Sequence, residues 1–431
     1  MHKKLTAAVL LFAAGKGFSQ TAPQTLTLAQ AEAIAFQNHP RIAAAQNVEL
    51  ASGQRVVEAR SAYYPVVSAE VTASQANYLS RLGAGFLTTS ALFNREGEGL
   101  VASQLVTDSG RTKNLVAGSS LEAQAATQTT AATRYDIALG VNRAWFGVLQ
   151  AQAVVRVATE TVKARQTLVD QITALTNAQL KSLVDLSFVK VNLSEAQLLL
   201  IRAQDGLKQA FADLSRALGQ DTSPDRYTLV EEAGSPTLPP DLNALVTEAI
   251  QNRPELADLR LRYEAAQKFE TAEHDLKKPN VNLIAVGGAL PYLDQNPRVS
   301  PEGYEGVAVN VEIPIFNGHL FSAREQAAHY ESLAANQRLR DLRQQVEHDV
   351  KVAWLNASAA SQRIPVTEEL VAQSQLSLTL AEGRYNLGLA SIVEITQAQL
   401  SLTQAQIENI SAGYDYRSAW ASLQYTLGAL R

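Results

Sequence analysis

The chain contains itself twice, and that duplication limits its possible folds more than any other feature. Phe36-Gln37-Asn38-His39-Pro40 returns 214 positions later as Ile250-Gln251-Asn252-Arg253-Pro254, and Tyr64-Pro65 and Lys278-Pro279 keep that offset. Further on the offset is 209. Ala144-Trp145 matches Ala353-Trp354, Ser182-Leu183-Val184-Asp185 matches Ser391-Ile392-Val393-Glu394, and Leu218-Gly219 matches Leu427-Gly428. Self-similarity held over such distances means two copies of one structural unit. The step from 214 to 209 falls between Pro65 and Trp145, so the first copy carries the longer loop there. The reading places the first repeat at 20–219 and the second at 241–431. Between them, 220–240 holds Pro224, Pro236, Pro239 and Pro240, an irregular connector rather than an element.

Each copy offers the same elements in the same order. A helix begins after Thr27, a possible N-cap, and breaks near Asn38 and Pro40. A second helical stretch ends near Tyr63. Pro65 then opens an extended segment in which Val67, Ala69, Val71 and Ala73 alternate with Ser68, Glu70, Thr72 and Ser74, the period of a strand. The clearest strand is Val307, Val309, Val311, Ile313 and Ile315, with Pro314 near its end, where a missing ladder donor is tolerated. Two strands per copy are expected, at about 66–78 and 99–107, then at about 281–290 and 304–315. Gly83, Gly85, Gly97 and Gly99 read as loop in the first copy, and Pro291, Pro297, Pro301 and Gly303 in the second. Four strands cannot close a barrel, and their open edges are not tolerated in lipid. A membrane reading therefore demands several chains sharing one barrel.

A very long helix follows the second strand. From near Arg111 to about Thr176 there is no Pro, and only two glycines precede position 147. At the rise of an α-helix this is about 95–100 Å, the length of a coiled coil or helical tube rather than of a globular domain. The last helix of the first copy repeats Leu186, Leu193, Leu200, Leu207 and Leu214 every seven residues, with Val189, Ala196, Ala203, Ala210 and Ala217 three positions later. The second copy has Ile395, Leu402, Asn409, Tyr416 and Leu423, then Ala398, Ala405, Ala412 and Ala419. These are heptads, and Ala on one seam position lets neighbouring backbones approach closely. Pro365 lies inside the second long helix and predicts a bend or break near 364, with no equivalent near Arg156.

Composition narrows the function classes. With 46% hydrophobic and only 6% aromatic residues the chain is helix-rich and globular rather than disordered. Lys3 and Lys4, the apolar run Leu5–Ala14 and Gly17-Phe18-Ser19 read as a secretory signal over 1–19, cleaved before Gln20. There is no Cys, which excludes thiolate metal sites and a Cys-borne lipid anchor. No later stretch is apolar enough for a transmembrane helix. The 37 basic and 42 acidic residues are dispersed, so no nucleic-acid partner is expected. The six histidines do not cluster, and no phosphate-binding loop, dinucleotide fingerprint or nucleophile elbow is present. The sequence points away from an enzyme and from any cofactor.

The chain should reverse near 177–182 and again near 385–391. Ser182 with Asp185, and Ser391 with Glu394, fit a capping box at the start of the next helix. Gly388 suits the left-handed C-cap of the second turn. Asp185 and Glu394 have a second possible role. If three copies surround one axis, six carboxylates ring a narrow aperture that concentrates cations, and like-charge coupling raises their pKa values.

Leu26-Thr27-Leu28 with Asn38-His39-Pro40, then Tyr64-Pro65, Pro314-Ile315-Phe316-Asn317-Gly318, and Tyr385-Asn386-Leu387-Gly388 with Ser391 and Glu394 resemble the TolC-type outer membrane efflux protein family in their order. That resemblance covers essentially the whole mature chain. It implies a mainly α fold with a membrane β part: a long α-helical coiled-coil barrel plus four strands per protomer in a shared trimeric 12-stranded β-barrel. It implies a homotrimer in outer-membrane lipid with a long periplasmic extension, and as partners a periplasmic adaptor and an inner-membrane transporter. Asp185, Glu394 and Tyr385 become aperture candidates, and Ser182, Gly388 and Ser391 tip or adaptor-contact candidates. The chain departs from the family at Ala390, where a basic residue is usual, and at Gln397, where an acidic one is. Leu175–Leu183 also lacks the Tyr and Gly of the second turn, and the first copy has Val106-Thr107-Asp108-Ser109-Gly110 where the second has the aromatic-Gly strand exit. A secreted or periplasmic structural coiled coil explains the heptads but not the paired strands. A periplasmic hydrolase with helical repeats is a further alternative.

Overall fold

The computed structural model describes residues 24–75, 81–82, 90–91, 95–220, 227–231, 234, 236–293 and 303–430. The signal expected at 1–19, strand positions 76–78, Gly83, Gly85, Pro224, Pro297 and Pro301 lie outside the described residues.

Short helices come first in each half of the chain, and prolines punctuate them. α1 (Leu28–Asn38) and α2 (Pro40–Ser61) have the same lengths, 11 and 22 residues, as α5 (Leu242–Asn252) and α6 (Pro254–Asp275). Pro40 and Pro254 each take the first helical position, where the N–H has no helical acceptor in any case. Thr27 caps α1, and the cap is reciprocal. The Gln30 amide donates to Thr27 Oγ1 at 3.3 Å, and the Thr27 amide donates to Gln30 Oε1 at 3.0 Å. Asp241 caps α5 by accepting from the amides of Asn243 and Ala244.

Two helices of 67 residues follow, α3 (Arg111–Asn177) and α7 (Leu320–Asn386), each joined to a 35-residue helix, α4 (Leu183–Ala217) and α8 (Ile392–Thr426). Of the bend or break expected near 364 the break is absent, because α7 runs through Pro365 without interruption. Both sides of the proline are tied to α8. Arg363 pairs with Asp415 at 3.3 Å, and the Thr367 hydroxyl donates to Asn409 Oδ1 at 3.1 Å. Those contacts hold the helix across the one hydrogen bond that proline removes.

The strands are β1 (Gln24–Leu26), β2 (Val66–Ser74), β3 (Arg81–Leu82), β4 (Ser90–Ala91), β5 (Arg95–Thr107), β6 (Tyr227–Leu229), β7 (Asn280–Leu293) and β8 (Tyr304–Glu312). The region 220–240 is less irregular than its prolines suggest, since β6 pairs in parallel with β1, Leu26 opposite Leu229. The main sheet is antiparallel in the order β2-β5-β7-β8. Its outer strands match the expected segments closely. β8 ends at Glu312, two residues before Pro314. Gly97 and Gly99, expected in a loop, belong to β5 instead. Pro291 lies within β7 where its register against Glu96 and Glu98 shifts, the place a sheet accepts a proline.

The register sorts the sheet into two faces. One is rich in valine, with Val67, Ala69, Val71, Leu100, Ala102, Leu283, Ala285, Val307, Val309 and Val311, and also carries Glu98, Gln104 and Glu305. The other mixes Ser68, Glu70, Ser103, Asn282, Asn310 and Glu312 with Val66, Val101, Leu105, Ile284 and Val286. The valine-rich face is open: Val71 is 82% exposed and Val307 74%. Among the described residues the outer edges of β2 and β8 are unpaired.

Both exits from the sheet make the same turn, although only the second has the expected aromatic-Gly sequence. Ser109 and Gly110 have positive φ, and so do Gly318 and His319. Asp108 accepts the Thr112 amide at 2.6 Å, and Asn317 accepts the Phe321 amide at 3.5 Å, 209 positions on.

The chain divides into two compact units. One comprises Asn38–Gly140, Pro236–Val366 and Asp415–Arg431. It contains the main sheet and an apolar core in which Leu245, Leu256, Val346, Val350, Leu423 and Leu427 meet. Trp354 borders that core and donates to the Pro239 carbonyl at 2.9 Å. The other unit comprises the segment through Gln37, Val141–Ser235 and Thr367–Tyr414. It contains both turns between the long helices.

Gly99 and Gly288 face each other across β5 and β7, with the Tyr304 hydroxyl above both. A Cβ at Gly288 would sit 2.2 Å from the Glu98 carbonyl oxygen, a backbone atom with no room to yield. Gly288→Ala is therefore expected to disrupt the β5–β7 ladder and sharply reduce the protein recovered folded in outer-membrane fractions. Gly306→Ala, whose Cβ would meet only the Val286 side chain at 3.5 Å, is expected to fold normally.

Candidate functional site

Two turns bring the candidate residues together. Both are Schellman motifs. After α3 the Leu180 amide reaches the Leu175 carbonyl and the Gln179 amide reaches Thr176. After α7 the Leu389 amide reaches Arg384 and the Gly388 amide reaches Tyr385. Gly388 has φ +75, the left-handed position expected of it. Gln179 stands 209 positions earlier and has φ +60. The first turn therefore repeats the second in geometry without its glycine, so Ser182 and Asp185 mark the turn in the sequence but nothing marks its left-handed residue.

Ser182 caps α4, but not as a full box. Its hydroxyl accepts the Val184 amide at 2.9 Å, one residue short of Asp185. Asp185 lies in the first turn of α4 and Glu394 in the first turn of α8, where a negative charge meets the positive end of the helix dipole. The Ser391 carbonyl accepts the Glu394 amide at 3.1 Å. Glu394 also has a cation. Arg384 Nε lies 3.4 Å from its carboxylate, an exposed pair worth about 0–1 kcal/mol. The basic residue missing at Ala390 is thus supplied six residues earlier, from the last turn of α7.

Tyr385 is not at the surface. It packs with Val169 and Ile172 of α3, Val189 of α4, and Ala381, Ile392, Ile395 and Ala398 around the second turn. Lys181, from the first turn, places its Nζ 4.0 Å from the ring centroid. That cation–π contact links the two turns directly and is worth about 0.5–1 kcal/mol where exposed. No sequence motif announced it, because the two residues lie more than two hundred positions apart. Among the described residues no three His, Asp or Glu side chains converge as metal ligands. No described helix is long and apolar enough to cross a membrane.

A family model described as outer membrane efflux protein matches this chain twice, over residues 33–220 and 245–429. The chain belongs to the outer membrane efflux protein family. The two matches divide where the repeat does. The outer membrane protein TolC of Escherichia coli (strain K12) is 24% identical over 302 residues, 68% of this chain and 61% of that protein. The chain thus aligns with about three fifths of the length of its TolC relatives. The outer membrane efflux protein BepC of Brucella suis is 21% identical over 413 residues, 96% of this chain and 87% of that one. Among solved structures, CusC superposes with a TM-score of 0.81 at 19% identity, covering 95% of each chain. The Campylobacter jejuni CmeC outer membrane channel gives 0.81 at 12% identity, covering 99% of this chain and 94% of that one. The fold is therefore the family's over nearly its whole length.

A left-handed backbone costs a non-glycine residue roughly 1–2 kcal/mol. Gln179→Gly is expected to raise the thermal midpoint of the purified protein, and Gly388→Ala to lower it. Paired melting curves check both, and a fall with Gln179→Gly would contradict the turn geometry.

Proposed function

We propose that this protein is the outer-membrane exit duct of a tripartite efflux pump or type I secretion system. It passively conducts substrates from the periplasm to the exterior, and it catalyses nothing. The observation that carries this reading is the sheet. Four antiparallel strands with two unpaired edges and one bare valine face cannot persist in water or in lipid as a single copy. Three copies edge to edge make a closed twelve-stranded barrel. The apolar face then meets outer-membrane lipid, and the face with Ser68, Glu70, Asn282 and Asn310 lines the channel.

In this reading the two repeats, 20–219 and 241–431 around the connector 220–240, make the trimer a ring of six similar hairpins. The long helices form a tunnel reaching through the periplasm, and the turns form its tip. Asp185 and Glu394 ring the aperture, Tyr385 holds the second turn from within, and Ser182, Gly388 and Ser391 shape the surface a periplasmic adaptor meets. An inner-membrane transporter supplies the energy. Both the family match and the likeness to CmeC and CusC support the reading. A secreted coiled coil has no use for the valine face.

The aperture assignment is tested by charge removal without loss of shape. Asp185→Asn with Glu394→Gln is expected to lower the cation-over-anion permeability ratio in planar bilayers about twofold or more and to relieve divalent-cation block. Asp185→Asn alone should account for most of the change, because Arg384 already offsets Glu394. Unchanged selectivity and block would remove both residues from the aperture.

A further inference from the structure

The repeat offsets predict strand pairing, and the sheet itself contains a check of them. In the β2–β5 ladder Val66 faces Ser103 and Ser74 faces Arg95. Tyr64-Pro65 and Lys278-Pro279, at the foot of β2 and β7, stand 214 positions apart. Asp108 and Asn317, which make the same turn after β5 and β8, stand 209 apart. Moved by those offsets, Val66 and Ser103 become Asn280 and Glu312, and Ser74 and Arg95 become Gly288 and Tyr304. Both pairs face each other in the β7–β8 ladder, and so do the seven pairs between them. The β2–β5 hairpin is therefore repeated residue for residue as β7–β8.

One ladder has no such repeat within the chain. β5 also pairs with β7, and the counterpart of that ladder joins β8 to a β2. β2 and β8 of one chain lie at opposite edges of the sheet. Strand lengths point to the same ladder. β5 has 13 residues, and its last four, Gln104–Thr107, lie past the end of its pairing with β2 and run along β7 alone. β8 starts at the matching position but stops after nine residues. The four that remain, Ile313–Phe316, continue its alternation as far as Ile315. They lie open in one copy, Ile315 95% exposed and Phe316 80%.

We propose that Ile313–Phe316 extends β8 against the β2 of a second copy, in the register that β5 keeps on β7. The proposal rests on the duct reading for the ring of copies and adds how each is joined to the next. Transferred by the offsets, Ala102 opposite Ala285 becomes Val311 opposite the partner's Val71. Val101 opposite Val286 becomes Asn310 opposite the partner's Thr72, and Gln104 opposite Leu283 becomes Ile313 opposite the partner's Ala69. Each of these pairs joins residues of the same face, as antiparallel strands require. The register shift between Leu105 and Thr107 transfers to Ile315, beside Pro314, and a bulge is where a strand accepts a proline. The same register sets Glu312 directly opposite the partner's Glu70, and like charges so placed weaken the seam.

The chain has no cysteine, so paired cysteines report the register directly. The full-length protein is oxidised with copper phenanthroline in outer-membrane vesicles and run on denaturing gels without reductant. Val71→Cys is combined in turn with Val307→Cys, Val309→Cys, Val311→Cys and Ile313→Cys. Thr72→Cys is combined with Ala308→Cys, Asn310→Cys and Glu312→Cys, so that both kinds of antiparallel pair are sampled. The fastest interchain disulfides are expected from Val71→Cys with Val311→Cys and from Thr72→Cys with Asn310→Cys. Each should lead the combinations two residues away by about fivefold or more, because opposite residues are about 5 Å apart and diagonal ones about 7–8 Å. Glu70→Lys is expected to raise the temperature at which the oligomer dissociates in SDS, and Glu70→Leu to raise it less. Faster crosslinking in another register, or no gain with Glu70→Lys, overturns the proposal and leaves the shared barrel standing. No interchain disulfide from any combination, with the chains recovered folded in the membrane, overturns the shared barrel as well.

Discussion

A backbone amide or carbonyl left unpaired in hydrocarbon costs several kcal/mol, and the main sheet has two edges lined with them. β2 and β8 are nine residues each, so neither edge is a short, blunted end that a lone protein could leave open. The strands between them pair on both sides over most of their length, with register shifts at two places in the β5–β7 ladder. The exposed valine face makes the same demand from a different direction, because burial of apolar surface needs lipid or protein there.

The helices carry the same incompleteness in milder form. Along α4 the fully buried seam positions are Val189, Ala196 and Ala203, while Leu186, Leu193 and Leu200 are only half-buried. In α8, Ala398, Ala405 and Ala412 are buried in the same way. Small residues bring paired helices close, and the larger ones at their flanks retain surface for neighbours. Phe188, Val191, Leu198 and Ile201 of α4 remain exposed in one copy. Apolar surface left open on a hairpin is available for further helices to pack against.

Most of this was legible in the sequence because it rests on period and repetition. Constant offsets fixed the duplicated element order, two-residue alternation fixed the strands, and heptads fixed the seams. What stayed hidden depended on partners distant in the chain. Gly99 looked like loop because its role is to let Gly288 and Tyr304 approach, which only the folded register reveals. Pro365 looked like a break because Asp415 and Asn409 lie far along the chain. Gln179 and Ser109 hid the left-handed backbone that Gly388 and Gly318 announce. At the two turns, the start of α4 at Ser182 and the left-handed φ of Gly388 were readable from capping rules alone. Lys181 and Arg384, which engage Tyr385 and Glu394, carried no local signal.

The turns are held by contacts that are individually small. A cation–π pair, an exposed ion pair and a strained left-handed residue each amount to about 1 kcal/mol or a little more. Beneath them the apolar cluster is built largely of alanine, valine and isoleucine, with Tyr385 its single large ring. A cavity beside that cluster removes further packing from the same region. Contacts this small can be exchanged locally, and a partner that binds the altered turn a few kcal/mol more tightly than the resting one can shift its conformation. The rods themselves need not unfold for that to happen.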